Sequence, residues 1–262
     1  MIKERKIVAS IEARMASSRL PGKVLKEIEG KPVLKILIER LSQSKFIDEI
    51  VIASTTNPLD EKIERLGRKL NTYVYRGSED DVLRRVVEAV KSVSGDIIVE
   101  ITGDCPLMDP EVVDYVINEY LKNYPKYDYV ANIGHVGNEV RQVPIGMDVR
   151  VFSFEHLNYI NEITNDPEDR EHVSLYFFRT GKSRFNLYNV STPDKWKRDY
   201  YPRLALDTEE DFIVIKKIYK TLSKEKKNFN LEDILDFLDK NMDILKINSQ
   251  VVQRTVSNLE KI

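Results

Sequence analysis

The sequence of 262 residues predicts an α/β fold, in which a sheet of mostly parallel strands is covered by helices. Strand-like and helix-like segments alternate through the first half, an order typical of parallel strands joined by crossover helices. Hydrophobic residues make up 42% of the chain, enough for one large and well-buried core. Because no Pro/Gly/Ser-rich linker divides the chain, we expect a single domain over residues 1–262.

The first half alternates short apolar runs with segments of helical spacing. The predicted strands are residues 6–11, 49–54, 72–75, 96–102 and 127–132, and the predicted helices are residues 33–44, 59–70, 80–93 and 110–121. In the third helix, one apolar stripe is formed by Leu83, Val86, Val87 and Val90.

After about Gly134 the alternation loosens, which indicates a sheet of mixed strand direction. We predict strands at residues 146–154, 185–190 and 204–206, with helices near His156, Glu171 and Thr208. The tail from Asn228 is amphipathic and should pack as a helix, either on the core or on a second subunit.

Composition excludes several classes of protein. The formal charge is −2, so neither a nucleic acid nor a membrane surface is an expected partner. The single Cys105 excludes an internal disulfide and fits a reducing cytoplasm. The three histidines, His135, His156 and His172, are too scattered for a paired metal site. Since no segment approaches the length that crosses a bilayer, we expect a cytoplasmic protein.

The loop after the first predicted strand is rich in cations. Residues 13–25 read ARMASSRLPGKVL, which places Arg14, Arg19 and Lys23 at the carboxyl end of a strand, where open α/β sheets bind ligands. The two commonest phosphate loops, G-x-x-x-x-G-K-[ST] and G-x-G-x-x-G, are absent. In this loop charged side chains, and not backbone N–H groups, would bind the phosphate. The alternative is an exposed basic loop that binds nothing.

Two later segments carry acidic residues at predicted strand ends. Asp109 has the pattern of a helix N-cap, and Thr208 forms a capping box with Asp211, so these two aspartates have structural explanations. Asp104 and Asp207 lie just outside the helices and lack such an explanation. We therefore regard them as the candidate functional carboxylates.

A third polar segment, residues 76–85 (RGSEDDVLRR), opens the helix predicted at 80–93. Its simplest interpretation is structural, because Ser78 and Asp81 form a capping box and Arg84 and Arg85 can face water.

The basic loop closely resembles the nucleotide-binding motif A-R-x-x-S-x-R-L-P-G-K-x-L of the cytidylyltransferases that activate acidic sugars, the deoxy-manno-octulosonate and acylneuraminate type. Every fixed position of that motif is present. The ordered resemblance extends over about residues 6–218. It implies a glycosyltransferase-A-like, Rossmann-like nucleotidyltransferase fold with a mixed central sheet flanked by helices.

The resemblance also implies roles for individual residues. The family's G-D-x-P-L and D-T-P-E-D-L segments supply two Mg²⁺ carboxylates, and Asp104 and Asp207 match them. The implied catalytic residues are Arg14, Arg19, Lys23, Asp104 and Asp207. The R-G-S segment resembles the spore-coat polysaccharide subfamily. The implied nucleotide contacts are Ala13, Arg14, Ser17, Ser18, Arg19, Lys23, Arg76, Ser78, Thr102 and Gly103.

Acceptor-binding residues are implied by two further segments. One resembles R-E-H-V and contains Arg170 and His172, although His172 could equally be an exposed first-turn residue or a subunit contact. The other resembles P-x-G-x-D-V-E-V-F and contains Asp148. This sequence departs from that pattern at Arg150, where the family has an acid. If that acid touches the acceptor, the substrate here differs.

The implied reaction joins CTP to an acidic or related sugar and gives a CMP-sugar and pyrophosphate. Residues 1–133 would form the nucleotide-binding half, residues 134–222 the acceptor-binding half and residues 223–262 a helical tail, in a possible homodimer. Three alternatives stay open: transfer from another NTP or to another acceptor, a metal-dependent glycosyltransferase, although no D-x-D occurs in the chain, and a non-catalytic nucleotide-binding protein.

Overall fold

The structure is a computed structural model that describes residues 5–134 and 141–253. Its strands are, in chain order, β1 (Ile7–Glu12), β2 (Glu27–Ile28), β3 (Lys31–Pro32), β4 (Glu49–Thr55), β5 (Tyr73–Gly77), β6 (Ile97–Thr102), β7 (Tyr129–Ala131), β8 (Arg150–Ser153) and β9 (Leu187–Asn189). Its helices are α1 (Val33–Leu41), α2 (Glu61–Lys69), α3 (Val82–Ser92), α4 (Pro110–Asn123), α5 (Phe154–Ile163), α6 (Pro167–Glu171), α7 (Leu175–Phe178), α8 (Glu209–Glu225), α9 (Leu231–Lys240) and α10 (Asp243–Lys246).

Within the described residues, seven strands form one sheet in the order β5-β4-β1-β6-β8-β7-β9. Strands β5, β4, β1 and β6 are parallel, whereas β8 is antiparallel to both β6 and β7. Strand β9 is parallel to β7. The predicted mixed central sheet flanked by helices is therefore confirmed. Because β1 and β6 are adjacent and parallel, the segments that follow them begin at the same edge of the sheet.

Hydrophobic cores cover both faces of the sheet, as the alternation of side chains along each strand requires. On one face, Ile11 of β1 belongs to a cluster with residues of α1, α4, α8 and α9. On the other face, Val8 of the same strand belongs to a cluster with residues of α3, α5 and α7. Among the helices of these described ranges, none is both long and apolar enough to cross a membrane.

The prediction of a strand at residues 204–206 is wrong. The segment forms only an isolated bridge, in which Ile145 pairs with Arg203 and the Leu204 amide donates to the carbonyl of Ile145 at 2.7 Å. Gly146 lies against this segment with φ +98°, and a Cβ there would approach backbone atoms of Leu204 and Ala205 at 2.7 Å. The close backbone contact leaves no room for a regular ladder. Apolar composition reflected burial here, not strand formation.

Several other elements are shorter than predicted. The strand predicted at residues 146–154 begins only at Arg150, and the one predicted at residues 127–132 is reduced to Tyr129–Ala131. Both changes occur beside the segment that joins β7 to β8. Only the three residues of β7 pair with β8.

The tail packs on the core of its own chain, the first of the two predicted arrangements. Helix α9 buries Leu231, Ile234, Leu235 and Leu238 in the cluster that covers the α1–α4 face of the sheet. Its first residue is held by a second contact, since the Leu231 amide donates to the carboxylate of Asp109. Asp109 also caps α4 through the amide of Glu111, at 2.9 Å.

Replacing Leu235 by Ala tests this packing. Because Leu235 is almost fully buried, we expect the free energy of unfolding to fall by about 2–5 kcal/mol. Urea denaturation measures the change, and Lys240→Ala on the exposed side of the same helix is the control. Unchanged stability of Leu235→Ala, with dissociation of an oligomer instead, would show that the tail packs on a second subunit.

Candidate functional site

The basic loop after β1 is anchored at the sheet edge by its backbone and its apolar residues. The Met15 amide donates to the Asp60 carboxylate at 2.7 Å, and the Gly22 amide donates to the Met15 carbonyl at 2.9 Å. Leu20 and Val24 are buried in the core. The polar side chains of the loop therefore project from a fixed backbone.

Lys23 lies at the centre of the site. Its ammonium contacts Oδ2 of Asp104 at 2.6 Å and Oδ1 of Asp207 at 2.9 Å. The guanidinium of Arg19 contacts the second oxygen of Asp207 at 2.9 Å. The structure thus brings together four of the five residues predicted to be catalytic, from segments far apart in the chain. The fifth, Arg14, belongs to the same loop and is exposed.

A tight turn positions Asp104 at the edge of the sheet. Gly103 donates its amide to the carbonyl of Glu12 at 2.9 Å, and a Cβ at Gly103 would come within 2.7 Å of that oxygen. Only glycine lets the turn after β6 lie this close to the end of β1. On the other side, the Asp104 carbonyl accepts from the amide of Leu206 at 2.8 Å, so the backbone before Asp207 is bound directly to this turn.

Asp207 is held by the start of α8. Asp211 closes the predicted capping box with Thr208, and it also accepts from the Asp207 amide at 3.0 Å. Buried Arg203 donates to the carboxylates of both Asp207 and Asp211. Asp211 thus has the structural role that its sequence position predicts, and Asp207 is left to face Lys23.

Lys23 and Asp207 favour each other's charged form. Burial by itself would raise the pKa of Asp207, but Lys23, Arg19 and Arg203 outweigh it and lower that pKa. Burial would likewise lower the pKa of Lys23, but Asp104 and Asp207 outweigh it and raise that pKa. The site is therefore a compact cluster of compensating charges around neutral pH.

Most of the remaining predicted nucleotide contacts lie around this cluster. Ala13 is buried against the Gly103 turn, and the hydroxyl of Thr102 is 3.2 Å from Sγ of Cys105. In the loop, Ser17 accepts weakly from the Leu20 amide at 3.4 Å, and Ser18 is exposed.

Arg76 and Ser78 have structural partners at the far end of the sheet. Arg76 donates to the carbonyls of Thr55 and Asn57, each at 2.9 Å, and pairs with Glu64. Ser78 accepts from the Asp81 amide at 3.1 Å, but the predicted capping box is wrong, because the N-cap of α3 is Asp81, which accepts from the Arg84 amide at 3.0 Å. The nucleotide contacts of Arg76 and Ser78 stay a prediction.

The expectation that Arg85 can face water is wrong. Its side chain is buried beneath the loop that precedes α3, where it donates to the carbonyls of Ala53 and Ser78. The guanidinium of Arg85 therefore joins β4 to the loop after β5. Arg84 is exposed, as expected, and pairs with Glu88.

The residues predicted to bind the acceptor occupy two different places. Asp148 lies just before β8 and forms a bidentate ion pair with Arg141. Arg170 lies in α6 and joins it to the start of α3 through the carboxylate of Asp81. His172 is exposed at the carboxyl end of α6 and not in its first turn. Their acceptor contacts stay a prediction. His135 lies outside the described residues.

Sequence reasoning missed two buried glutamates beside the cluster, Glu12 of β1 and Glu100 of β6. One side-chain oxygen of each is buried and has no hydrogen-bond partner among the described residues. Burial, with the nearby charge of Glu100, raises the pKa of Glu12 well above its usual range. A signal was present, because Glu100 interrupts the apolar run Ile97–Ile101 and Glu12 directly follows the predicted strand at residues 6–11.

This fold, with a phosphate-suited cation cluster and two acidic groups at the carboxyl edge of a mixed sheet, defines a nucleotidyltransferase. The family model described as cytidylyltransferase matches residues 8–252. The chain belongs to this cytidylyltransferase family.

Individual relatives agree with the family. The spore coat polysaccharide biosynthesis protein SpsF of Bacillus subtilis is 32% identical, over 90% of this chain and 95% of that protein. A 3-deoxy-manno-octulosonate cytidylyltransferase of Geobacter metallireducens is 28% identical, over 73% and 65%. The solved structure of a cytidylyltransferase from Leptospira borgpetersenii has a TM-score of 0.84 and 31% identity, over 96% of this chain and 100% of that one.

The lowered pKa of Asp207 predicts how stability depends on pH. An unfolded aspartate titrates near about pH 4, so the paired carboxylate contributes stability above that pH. The contribution is lost as the pH falls through the lower folded-state pKa. Between about pH 5 and about pH 2, urea denaturation should therefore show a steeper loss of stability for the wild type than for Asp207→Asn. Parallel curves would contradict the pairing.

Proposed function

We propose that the protein transfers CMP from CTP to an acidic or related sugar and releases pyrophosphate, with Mg²⁺ held by Asp104 and Asp207. The observation that carries this proposal is the Lys23 ammonium between the two carboxylates, at 2.6 and 2.9 Å. The family and the octulosonate-specific relative support CTP as donor and a sugar acid as acceptor.

The two aspartates suit a hard divalent cation. Carboxylate oxygens are the protein ligands that Mg²⁺ prefers, and it commonly takes only one or two of them, with phosphates and water filling the other positions. Within residues 5–134 and 141–253, no group of three or more His, Cys, Asp or Glu side chains forms a complete cage. The donor set therefore fits a metal that arrives with the nucleotide.

Lys23 and Arg19 would change partners when the triphosphate binds. Both cations now neutralise Asp104 and Asp207, and both belong to a loop with an anchored backbone. Phosphate oxygens accept the same kind of charge-assisted hydrogen bond, and a triphosphate offers these cations more anionic oxygens than the two carboxylates do. Their movement to the phosphates would free the two carboxylates for Mg²⁺. The same cations would then stabilise the charge that grows on the departing pyrophosphate.

The sugar hydroxyl would attack the α-phosphorus in line with the leaving pyrophosphate. When bound, Mg²⁺ would neutralise phosphate charge and lower the pKa of the attacking hydroxyl. The protein's own contribution is alignment, since the loop, the Asp104 turn and the Asp207 segment are joined by backbone hydrogen bonds.

Removal of the Lys23 cation and removal of the Asp104 charge should change the metal affinity in opposite directions. Lys23→Ala removes the cation that contacts both carboxylates and leaves only Arg19 and Arg203 beside Asp207, so Mn²⁺ should bind without nucleotide at least about 10-fold more tightly than to the wild type. Asp104→Asn should weaken it. Both variants should lose turnover by about 10²–10³-fold, mainly in kcat. Mn²⁺ titration by electron paramagnetic resonance and a pyrophosphate-release assay measure these effects.

Lys26→Ala is the matched control, because Lys26 lies in the same loop region and pairs with exposed Glu209. It should leave metal affinity and turnover near wild-type values. Wild-type turnover of Asp104→Asn, or of the wild type in excess EDTA, would contradict the metal site.

Base selectivity is a separate prediction. A site that pairs with the exocyclic amine of cytosine leaves polar groups unpaired when UTP enters, which can reject UTP by several powers of ten. Calorimetric titration with the four NTPs in Mg²⁺ should therefore show a clear preference for CTP. Equal affinity for CTP and UTP would contradict the cytidylyl assignment and leave a nucleotidyltransferase of another specificity.

A further inference from the structure

One face of the sheet changes from apolar to polar toward its carboxyl edge. The register of β1, β6 and β8 places residues in three successive rows on this face, which are Val8–Ile98–Phe152, then Ser10–Glu100–Arg150, then Glu12–Thr102. The first row is fully buried in the hydrophobic core. We call Ser10, Glu12, Glu100, Thr102 and Arg150 the polar floor.

The polar floor contains more hydrogen-bonding capacity than the described residues satisfy. Oγ of Ser10, Oε1 of Glu12 and Oε2 of Glu100 are buried without a partner among residues 5–134 and 141–253. The guanidinium of Arg150 is 3.6 Å from Glu100, close enough for attraction but too long for a hydrogen bond. A buried polar atom without a hydrogen-bond partner is destabilising, so three of them in one patch need an explanation.

The polar floor lies beside the reacting groups. Glu12 is followed directly by Ala13 and the basic loop, and Thr102 by the turn that carries Asp104. In the sheet order, β1, β6 and β8 extend away from β5, where Arg76 and Ser78 are the predicted nucleoside contacts. Arg150 of the floor belongs to the half of the chain predicted to bind the acceptor. A molecule on the floor would therefore approach the phosphates from the acceptor side.

We propose that the polar floor is part of the acceptor site, where Glu12 and Glu100 accept hydrogen bonds from a hydroxyl or ammonium group of the sugar. This inference rests on the proposed function. Oγ of Ser10, Oε1 of Glu12 and Oε2 of Glu100 can each accept a hydrogen bond, so donor groups of one ligand would satisfy all three atoms. Arg150 acts as a positioning residue, because it offsets the charge of Glu100 and holds it in the row.

Binding of two matched sugars tests the proposal. The probes are 3-deoxy-manno-octulosonate and its 8-amino-3,8-dideoxy analogue, which differ in one hydroxyl or ammonium group. Calorimetry would measure their affinity for the protein saturated with Mg²⁺ and α,β-methylene-CTP, which cannot release pyrophosphate. The affinity for the nucleotide analogue, measured first, tests the proposed function separately.

The Glu12 variants separate a binding role from a structural one. Glu12→Met removes both carboxylate oxygens at similar length, so we expect both sugars to bind at least about 10-fold more weakly. The nucleotide affinity should change less than about 2-fold, and Tm should stay equal or rise because a buried orphan is gone. Glu12→Gln keeps one acceptor oxygen but no charge, and should weaken the amino sugar more than the hydroxyl sugar if the ammonium occupies the floor.

Glu88→Gln is the control, since Glu88 pairs with Arg84 and Tyr75 on the β5 side of α3. It should bind both sugars as the wild type does. Equal sugar affinity of Glu12→Met and the wild type would overturn the proposal. So would loss of nucleotide affinity in place of sugar affinity, or failure of the wild-type nucleotide complex to bind either sugar. Failure of the wild type to bind the nucleotide analogue would instead overturn the proposed function.

Discussion

The ion pairs of Lys23 hold three separate parts of the chain at one point. The loop after β1, the turn after β6 and the segment before α8 carry charges that are costly to bury alone and stable when buried together. Removing either sign would leave the other uncompensated in a half-buried setting. Lys23 therefore joins these three segments, and under the proposed function the same charged groups would bind the phosphates and the metal.

The antiparallel strand β8 gives the site its second side. If β8 were parallel to β1 and β6, its last residue, and not its first, would lie toward the edge of the sheet that carries the site. Reversed, it brings Arg150 into register with Glu100 in the middle of the sheet. This register gives a physical explanation for Arg150, which stands where the family pattern has an acid. A cation placed opposite buried Glu100 makes that acid tolerable in a low-dielectric setting.

The sequence could predict the meeting of Lys23 and Asp104 from topology. Lys23 lies in the loop after β1 and Asp104 in the turn after β6, and these two strands are adjacent and parallel. Asp207 does not follow this rule, because residues 204–206 form no strand. The buried glutamates needed information that the sequence lacks, namely which strands are neighbours and which face is covered. For Arg85 the prediction was wrong in another way, because a side chain expected to face water is buried. The sequence allowed Arg85 to face water, whereas its guanidinium donates to the carbonyls of Ala53 and Ser78.

The contacts of the tail bear on how the protein is made. Asp109 accepts from the first amide of α9, and Asn248 donates to the carbonyl of Arg203 and to Asp211, the residues that hold Asp207 in place. A ribosome releases the basic loop and the Asp104 turn long before these partners. During synthesis, the charged groups of this loop and turn therefore emerge before the hydrogen bonds that hold Asp207 in place can form. The arrangement is completed only after Asn248 has left the exit tunnel, so the nascent protein passes through a period without its finished site.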